Sequence, residues 1–141
     1  HLNPIMRYKD HAKEKSMLNT SPVFTWYVAG LVFDWIEEQG GLEVMAQISQ
    51  KKSQLLYEYI DNSDLYKNPV SKKYRSWVNI PFILKDNTLD PIFLSQAEKF
   101  GLYNLKGHRT VGGMRASVYN AMPVEGVEML ITFMKDFENK Q

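Results

Sequence analysis

Cysteine is absent from the 141-residue chain, which excludes disulfides, thiolate metal ligands and a cysteine nucleophile and is compatible with a reducing compartment. An excess of one charge is lacking too: 17 lysines and arginines against 16 aspartates and glutamates leave a net charge of +1. A general nucleic-acid binder carries a strongly basic face, and this balance gives no support for one. The histidines, His1, His11 and His108, are scattered, with no spacing resembling a zinc site, so no metal is expected. P-loops, G-x-S-x-G elbows and G-x-G-x-x-G fingerprints are missing, and no self-sufficient catalytic centre is visible. The most apolar stretch, residues 23–36, is interrupted by Thr25, Gly30 and Asp34 and is too short to span a bilayer, so no membrane partner is expected. His1-Leu2-Asn3-Pro4 does not read as a signal peptide, because no charged region leads into an apolar core. It lacks a methionine as well. The chain therefore reads either as a piece of a longer protein or as one with foreign residues at its start, and the cytoplasm is its expected location.

What is present belongs to a globular protein: 44% of residues are hydrophobic and 13% aromatic, too apolar for disorder at so low a net charge. Residues 1–18 are polar and mixed in charge, and they read as an extended arm or the end of something longer. Asn19-Thr20-Ser21-Pro22 is a helix-start signal, with N-cap residue types and a proline suited to the first turn. The helix it opens, about residues 22–39, is apolar nearly all round, a pattern of burial on several sides. In a small domain that implies packing against further chain or a partner subunit. Gly40-Gly41 stops it.

A second helix is expected over about residues 42–60, with Val44, Ile48, Leu55 and Tyr59 on one stripe and Lys51, Lys52 and Glu58 off it. A polar loop follows, then a β-rich run at residues 77–84 in which Pro81 argues for an edge position or a bulge. Asp90-Pro91 opens a third helix with Phe93, Ala97 and Phe100 inward. Residues 115–120 read as a strand. Pro123 opens a last helix with Val127, Leu130, Ile131, Met134 and Phe137 at helical spacing. The class is α/β or α+β: a small, mainly antiparallel sheet with helices packed on one face.

Basic residues concentrate in three places. Lys51-Lys52 and Lys72-Lys73-Tyr74-Arg75 fit a phosphate patch or, more simply, a solvated helix face and loop. Residues 106–117 are more pointed: Lys106, His108, Arg109 and Arg115 surround Gly112-Gly113. Glycines let a ligand approach main-chain N–H groups, and an arginine fork holds a carboxylate or phosphate through two bonds. In a strand Arg115 and Ser117 share one face, so Arg115 is free to point away from the core. The segment fits either an anion site or an ordinary hairpin with solvated charges. Asn19-Thr20 before a helix is likewise either a plain cap or a seat for phosphate.

At these two places the chain resembles the phosphoserine aminotransferases, which are class V, fold-type I pyridoxal-phosphate enzymes. Ser16-Met17-Leu18-Asn19-Thr20-Ser21-Pro22 resembles their "NTPP" signature, with Ser21 replacing the first proline. Gly107-His108-Arg109 followed by Gly112-Gly113-Met114-Arg115-Ala116-Ser117 resembles their C-terminal substrate signature. Tyr119-Asn120-Ala121-Met122-Pro123 continues the match, as does Gly40-Gly41, and the likeness runs from about Ile5 onward. The resemblance implies the C-terminal domain of a fold-type I aminotransferase, with residues 1–21 a remnant of the large cofactor-binding domain and residues 22–141 the small domain with its linking helix. It implies transfer of an amino group between L-glutamate and 3-phosphohydroxypyruvate, giving O-phospho-L-serine and 2-oxoglutarate, in serine biosynthesis and, in many bacteria, a related step of pyridoxine synthesis.

Carried over by position, Asn19 and Thr20 would bind the phosphate of pyridoxal 5'-phosphate in the other subunit of a homodimer. Arg115 would pair with the substrate α-carboxylate, and His108 and Arg109 would lie near the substrate's phosphate or glutamate's side-chain carboxylate. The family's Schiff-base lysine sits in a Gly-Ala-Gln-Lys-type motif before the Asn-Thr pair, and Lys9, Lys13 and Lys15 lack that context. The chain alone is therefore expected not to transaminate. The alternatives are another class V aminotransferase with a different acid substrate, or a non-catalytic module that binds a small anion or mediates dimerisation.

Overall fold

Local capping decides the first elements. A computed structural model describes residues 2–141, in two compact units, His1–Leu42 and Glu43–Gln141. The opening residues, expected to be an extended arm or the end of something longer, form a 3-10 turn at Pro4–Met6 and a short helix α1 at Tyr8–Lys13. The Asn3 side chain accepts from the Ile5 N–H at 3.1 Å, and the Ile5 carbonyl lies 2.6 Å from the His11 ring. Such contacts leave no periodic apolar signal for sequence reading to find. Helix α2, Val23–Glu38, ends before Gly40-Gly41 as expected. Its N-cap is Pro22 and no side chain caps it, so Asn19, Thr20 and Ser21 do not play the expected capping role. Nor is α2 buried on several sides. No residue of it is buried, and Phe24 is 78% exposed. The unit containing it supplies too little chain to cover a helix apolar all round.

The second unit begins within helix α3, Gly41–Asn62, whose buried residues are Met45, Ser49, Lys52, Ser53, Leu56, Tyr57 and Ile60. This face lies about one position round from the expected stripe: Val44 is exposed, while Ile48, Leu55 and Tyr59 are only half-buried. Hydrophobicity alone chose the wrong row because the true one includes two serines and a lysine. The loop after α3 contains a two-residue strand β1, Tyr66–Lys67, antiparallel to β2, Asn79–Leu84. On its other side β2 pairs with β3, Met114–Ser117, in the register Asn79 with Ser117 and Phe82 with Met114.

Strand β2 is thus central, and Pro81 is not on an edge strand. It is tolerated because β1 pairs only with Ile83 and Leu84, so the missing N–H takes no bond from the β1 ladder. The free Pro81 carbonyl accepts from the Asn68 amide at 2.6 Å.

Alternation along β2 and β3 buries Ile80, Phe82, Leu84, Met114 and Ala116 on one face. Helix α4, Asp90–Lys99, and helix α5, Val124–Glu138, share that core with α3. Phe93 and Ala97 point inward as expected, whereas Phe100 is 45% exposed because it lies past the last turn of α4. Tyr66, Phe82, Phe133 and Phe137 stand edge-on to Phe93 at centroid distances of 5.9, 5.9, 5.1 and 5.1 Å. Phe93→Ala should therefore destabilise the protein by about 3–5 kcal/mol, measured by urea unfolding.

One carboxylate ties the end of α5 to the loop after α3. Glu138 accepts from the Tyr59 hydroxyl at 2.6 Å, the Ser63 hydroxyl at 2.6 Å and the N–H groups of Asp64 and Leu65 at 3.1 and 3.0 Å. Burial alone would raise its pKa, but these hydrogen bonds outweigh it and hold the carboxyl below its ordinary value of 4.5. The stabilisation is therefore present above that ordinary value and is lost as pH falls through the lower folded value. Urea titrations between neutral and acid pH should show this loss in the native protein. In Glu138→Gln the stability should be lower at neutral pH and its acid dependence flatter.

Candidate functional site

The basic glycine segment closes a hairpin beside the sheet. Lys106 bridges to Met114, and the Gly107 N–H donates to the Gly113 carbonyl at 2.8 Å. The His108 carbonyl accepts from Val111 and Gly112 at 2.9 and 2.8 Å, folding the tip back on itself. Two glycines are required by space. A Cβ on Gly107 would run into the Gly112 carbonyl oxygen, and one on Gly113 would meet Ile83 Cγ2 at 2.6 Å and the Phe82 carbonyl at 2.8 Å. Gly113 also sits at φ +59°. At the tip His108 and Arg109 are exposed, and His108 Nδ1 lies 2.8 Å from the Thr110 hydroxyl.

Arg115 leaves the tip on β3, pointing off the buried face while Met114 and Ala116 fill the core. Its N–H donates to the Leu105 carbonyl at 2.7 Å, which secures the backbone under the side chain. The residue lines a cavity of about 520 Å³ walled by residues 101–105, by β3 and by the first half of α5. Leu102, Leu105, Val127 and Leu130 give it an apolar wall, and Asn104, Ser117 and Tyr119 add polar groups around Arg115. Apolar walls with a few convergent polar groups are the usual make-up of a small-molecule site.

Among the described residues no carboxylate pairs with Arg109 or Arg115. The other basic run is used differently. Arg75 makes a two-pronged pair with Asp61 at 2.7 and 2.8 Å and stacks 4.7 Å from the Tyr57 ring, and Lys72 approaches Asp61 at 3.3 Å. That guanidinium holds the Asp61 carboxyl below its ordinary value, and the pair is internal bracing.

The hairpin thus brings His108, Arg109 and Arg115 onto one continuous segment, but only Arg115 lines the cavity. Asn19 and Thr20 belong to the first unit, where both are exposed. Their side chains make no hydrogen bond among the described residues, and the first turn of α2 has no side-chain cap. Sequence reading missed Lys52, whose ammonium is fully buried and donates to the carbonyls of Tyr119 and Met122 at 2.8 Å each. The available signal was a lysine at helical spacing from Met45, Ser49 and Leu56. It also missed Tyr119 and Met122 as cavity walls, because their place depends on the turn between β3 and α5. No cluster of three or more His, Asp or Glu side chains able to hold a metal occurs among the described residues, nor does any helix long and apolar enough to cross a membrane.

The aminotransferase class-V pattern matches residues 3–130, and the chain belongs to that family. Within it, the chain is similar to the phosphoserine aminotransferase of Idiomarina loihiensis: 55% identity over 139 residues, covering 99% of this chain and 38% of the relative. The solved phosphoserine aminotransferase of Bacillus circulans subsp. alkalophilus superposes with a TM-score of 0.92 at 43% identity, over 99% of this chain and 39% of that one. A pyridoxal-phosphate-bound phosphoserine aminotransferase of Trichomonas vaginalis gives a TM-score of 0.85 at 38% identity, over 95% of this chain and 39% of that one. The chain spans about 38% of the length of the curated relatives it matches.

The hairpin carries its own test. Gly113→Ala combines a left-handed backbone with a clash against β2, so it should cost about 1–3 kcal/mol of stability in urea unfolding.

Proposed function

We propose that this chain is the substrate-recognising part of a phosphoserine aminotransferase. The whole protein moves an amino group between L-glutamate and 3-phosphohydroxypyruvate, yielding 2-oxoglutarate and O-phospho-L-serine for serine biosynthesis and, in the same manner, a related step of pyridoxine synthesis. The single observation that carries this reading is Arg115. It is a guanidinium that no carboxylate pairs with among the described residues, lining a cavity on the strand that continues from a second basic cluster. Both substrates carry two anionic ends. In this reading Arg115 takes the α-carboxylate, and His108 and Arg109 take the distal phosphate or the glutamate side-chain carboxylate. Two separated cationic sites fix which carbon is presented for reaction.

Pyridoxal 5'-phosphate, when bound, supplies the electron sink that makes the transfer possible. The residues present fit its phosphate: among the described residues the exposed Asn19 and Thr20 side chains make no hydrogen bond, and no side chain caps the N–H groups that open α2. We assign Asn19 and Thr20 to that phosphate in the site of the other subunit of a homodimer. The exposed apolar surface of α2 supports an interface there. On the same reading residues 1–21 belong to the large cofactor-binding domain and residues 22–141 to the small domain. The Schiff-base lysine lies in another part of a cytoplasmic enzyme, and this chain alone does not transaminate.

In the full-length enzyme, Arg115→Ala should raise KM for glutamate and for phosphoserine by roughly tenfold or more, the loss of a charge-assisted pair. Arg109→Ala should weaken phosphoserine more than it weakens an unphosphorylated amino acid. Steady-state kinetics on a substrate panel reads both. Unchanged constants for Arg115→Ala would refute its assignment, and equal use of unphosphorylated acids would point to a different class V aminotransferase.

A further inference from the structure

Lys52 is the sole buried charged side chain among the described residues, and it has no carboxylate partner there. Burial pushes its pKa down from the ordinary lysine value. An apolar side chain of similar length would fill the same space without that desolvation, so the ammonium answers some need other than packing. Its two acceptors show which. The carbonyls of Tyr119 and Met122 bracket the turn that links β3 to α5, and the Met122 N–H closes that turn by donating to the same Tyr119 oxygen at 2.9 Å. Lys52 lies 67 residues from Tyr119 in the chain, so it pins the turn from outside.

The turn is itself a wall. Tyr119 and Met122 line the cavity that Arg115 lines, and Tyr119 is four positions further along from Arg115. The Met122 side chain packs against α5: a Cβ placed on Gly126 would meet its sulfur at 2.6 Å. The wall is therefore held between a buried cation and the opening turn of α5.

We infer that Lys52 is a positioning residue for substrate: by holding the Tyr119 and Met122 carbonyls it sets one wall of the cavity that Arg115 lines and so the fit of the acid that Arg115 binds. The inference rests on the Arg115 reading above. Lys52 touches no substrate. Its effect passes through the turn, and a misplaced wall weakens binding before it affects the chemical step.

The test is steady-state kinetics of the full-length holoenzyme carrying Lys52→Met, which keeps the volume and removes the donors, alongside Arg115→Ala. The expected result is a rise in KM for glutamate and phosphoserine of roughly fivefold or more, with kcat within about twofold of the parent. Should Lys52→Met fail to fold, Lys52→Gln, which keeps an N–H donor on a shorter arm, is measured in the same way and should show the same split. A folded Lys52 variant with unchanged KM, while Arg115→Ala raises it, overturns the role of Lys52 alone and leaves it a purely structural residue. Unchanged KM in Arg115→Ala overturns the underlying substrate reading instead.

Discussion

Four rings standing edge-on to Phe93 hold the second unit together. They bring β1, β2 and α5 onto α4 in one apolar cluster. Because their contacts are edge-to-face, they fix the orientation of each element as well as its distance. The sheet is short, with a two-residue β1 and a four-residue β3, and strands that short are not self-supporting. The aromatic cluster below makes β3 a firm base. The Arg115 side chain and the glycine hairpin are presented from that base.

The basic residues divide by whether the fold gives them a partner. Arg75 and Lys72 converge on Asp61, and Lys52 is enclosed with two carbonyls. Arg109 and Arg115 receive no carboxylate among the described residues. A guanidinium that the protein leaves without an internal acceptor, on a rigid strand at a cavity, retains its full capacity for an anionic ligand. Composition could not make this division. The runs containing Lys52 and Arg75 looked like the most ordinary charges in the sequence, yet the fold uses both as internal braces.

The corrections have one cause in common. A stripe on α3, an inward Phe100 and an edge position or bulge at Pro81 each follow from a residue's chemistry without its neighbours. On α3 the buried row holds Ser49, Lys52 and Ser53, and no hydropathy rule selects such a row. Pro81 is tolerated in a central strand only because β1 is too short to reach it. The short helix at Tyr8–Lys13 follows a 3-10 turn with a proline and an asparagine cap. Its polar residues had read as an arm.

Punctuation and chemistry are legible along the chain without any fold. Gly40-Gly41 ended α2, Pro123 preceded α5, and of the apolar positions Val127, Leu130, Ile131, Met134 and Phe137 all but the half-buried Ile131 lie on the buried face of α5. The glycines and basic residues of the hairpin, together with the Asn19-Thr20 pair, carried the resemblance to a class V aminotransferase. These features are local, set by backbone sterics and by short-range periodicity, and so they can be read one residue at a time. That Arg115 lines a cavity, that Tyr119 and Met122 wall it, and that Lys52 reaches across to bond their carbonyls emerges from the folded arrangement alone. Each of those facts joins residues far apart in the chain. Such contacts form only when a core has placed the elements that carry them, and no local pattern records which elements will meet.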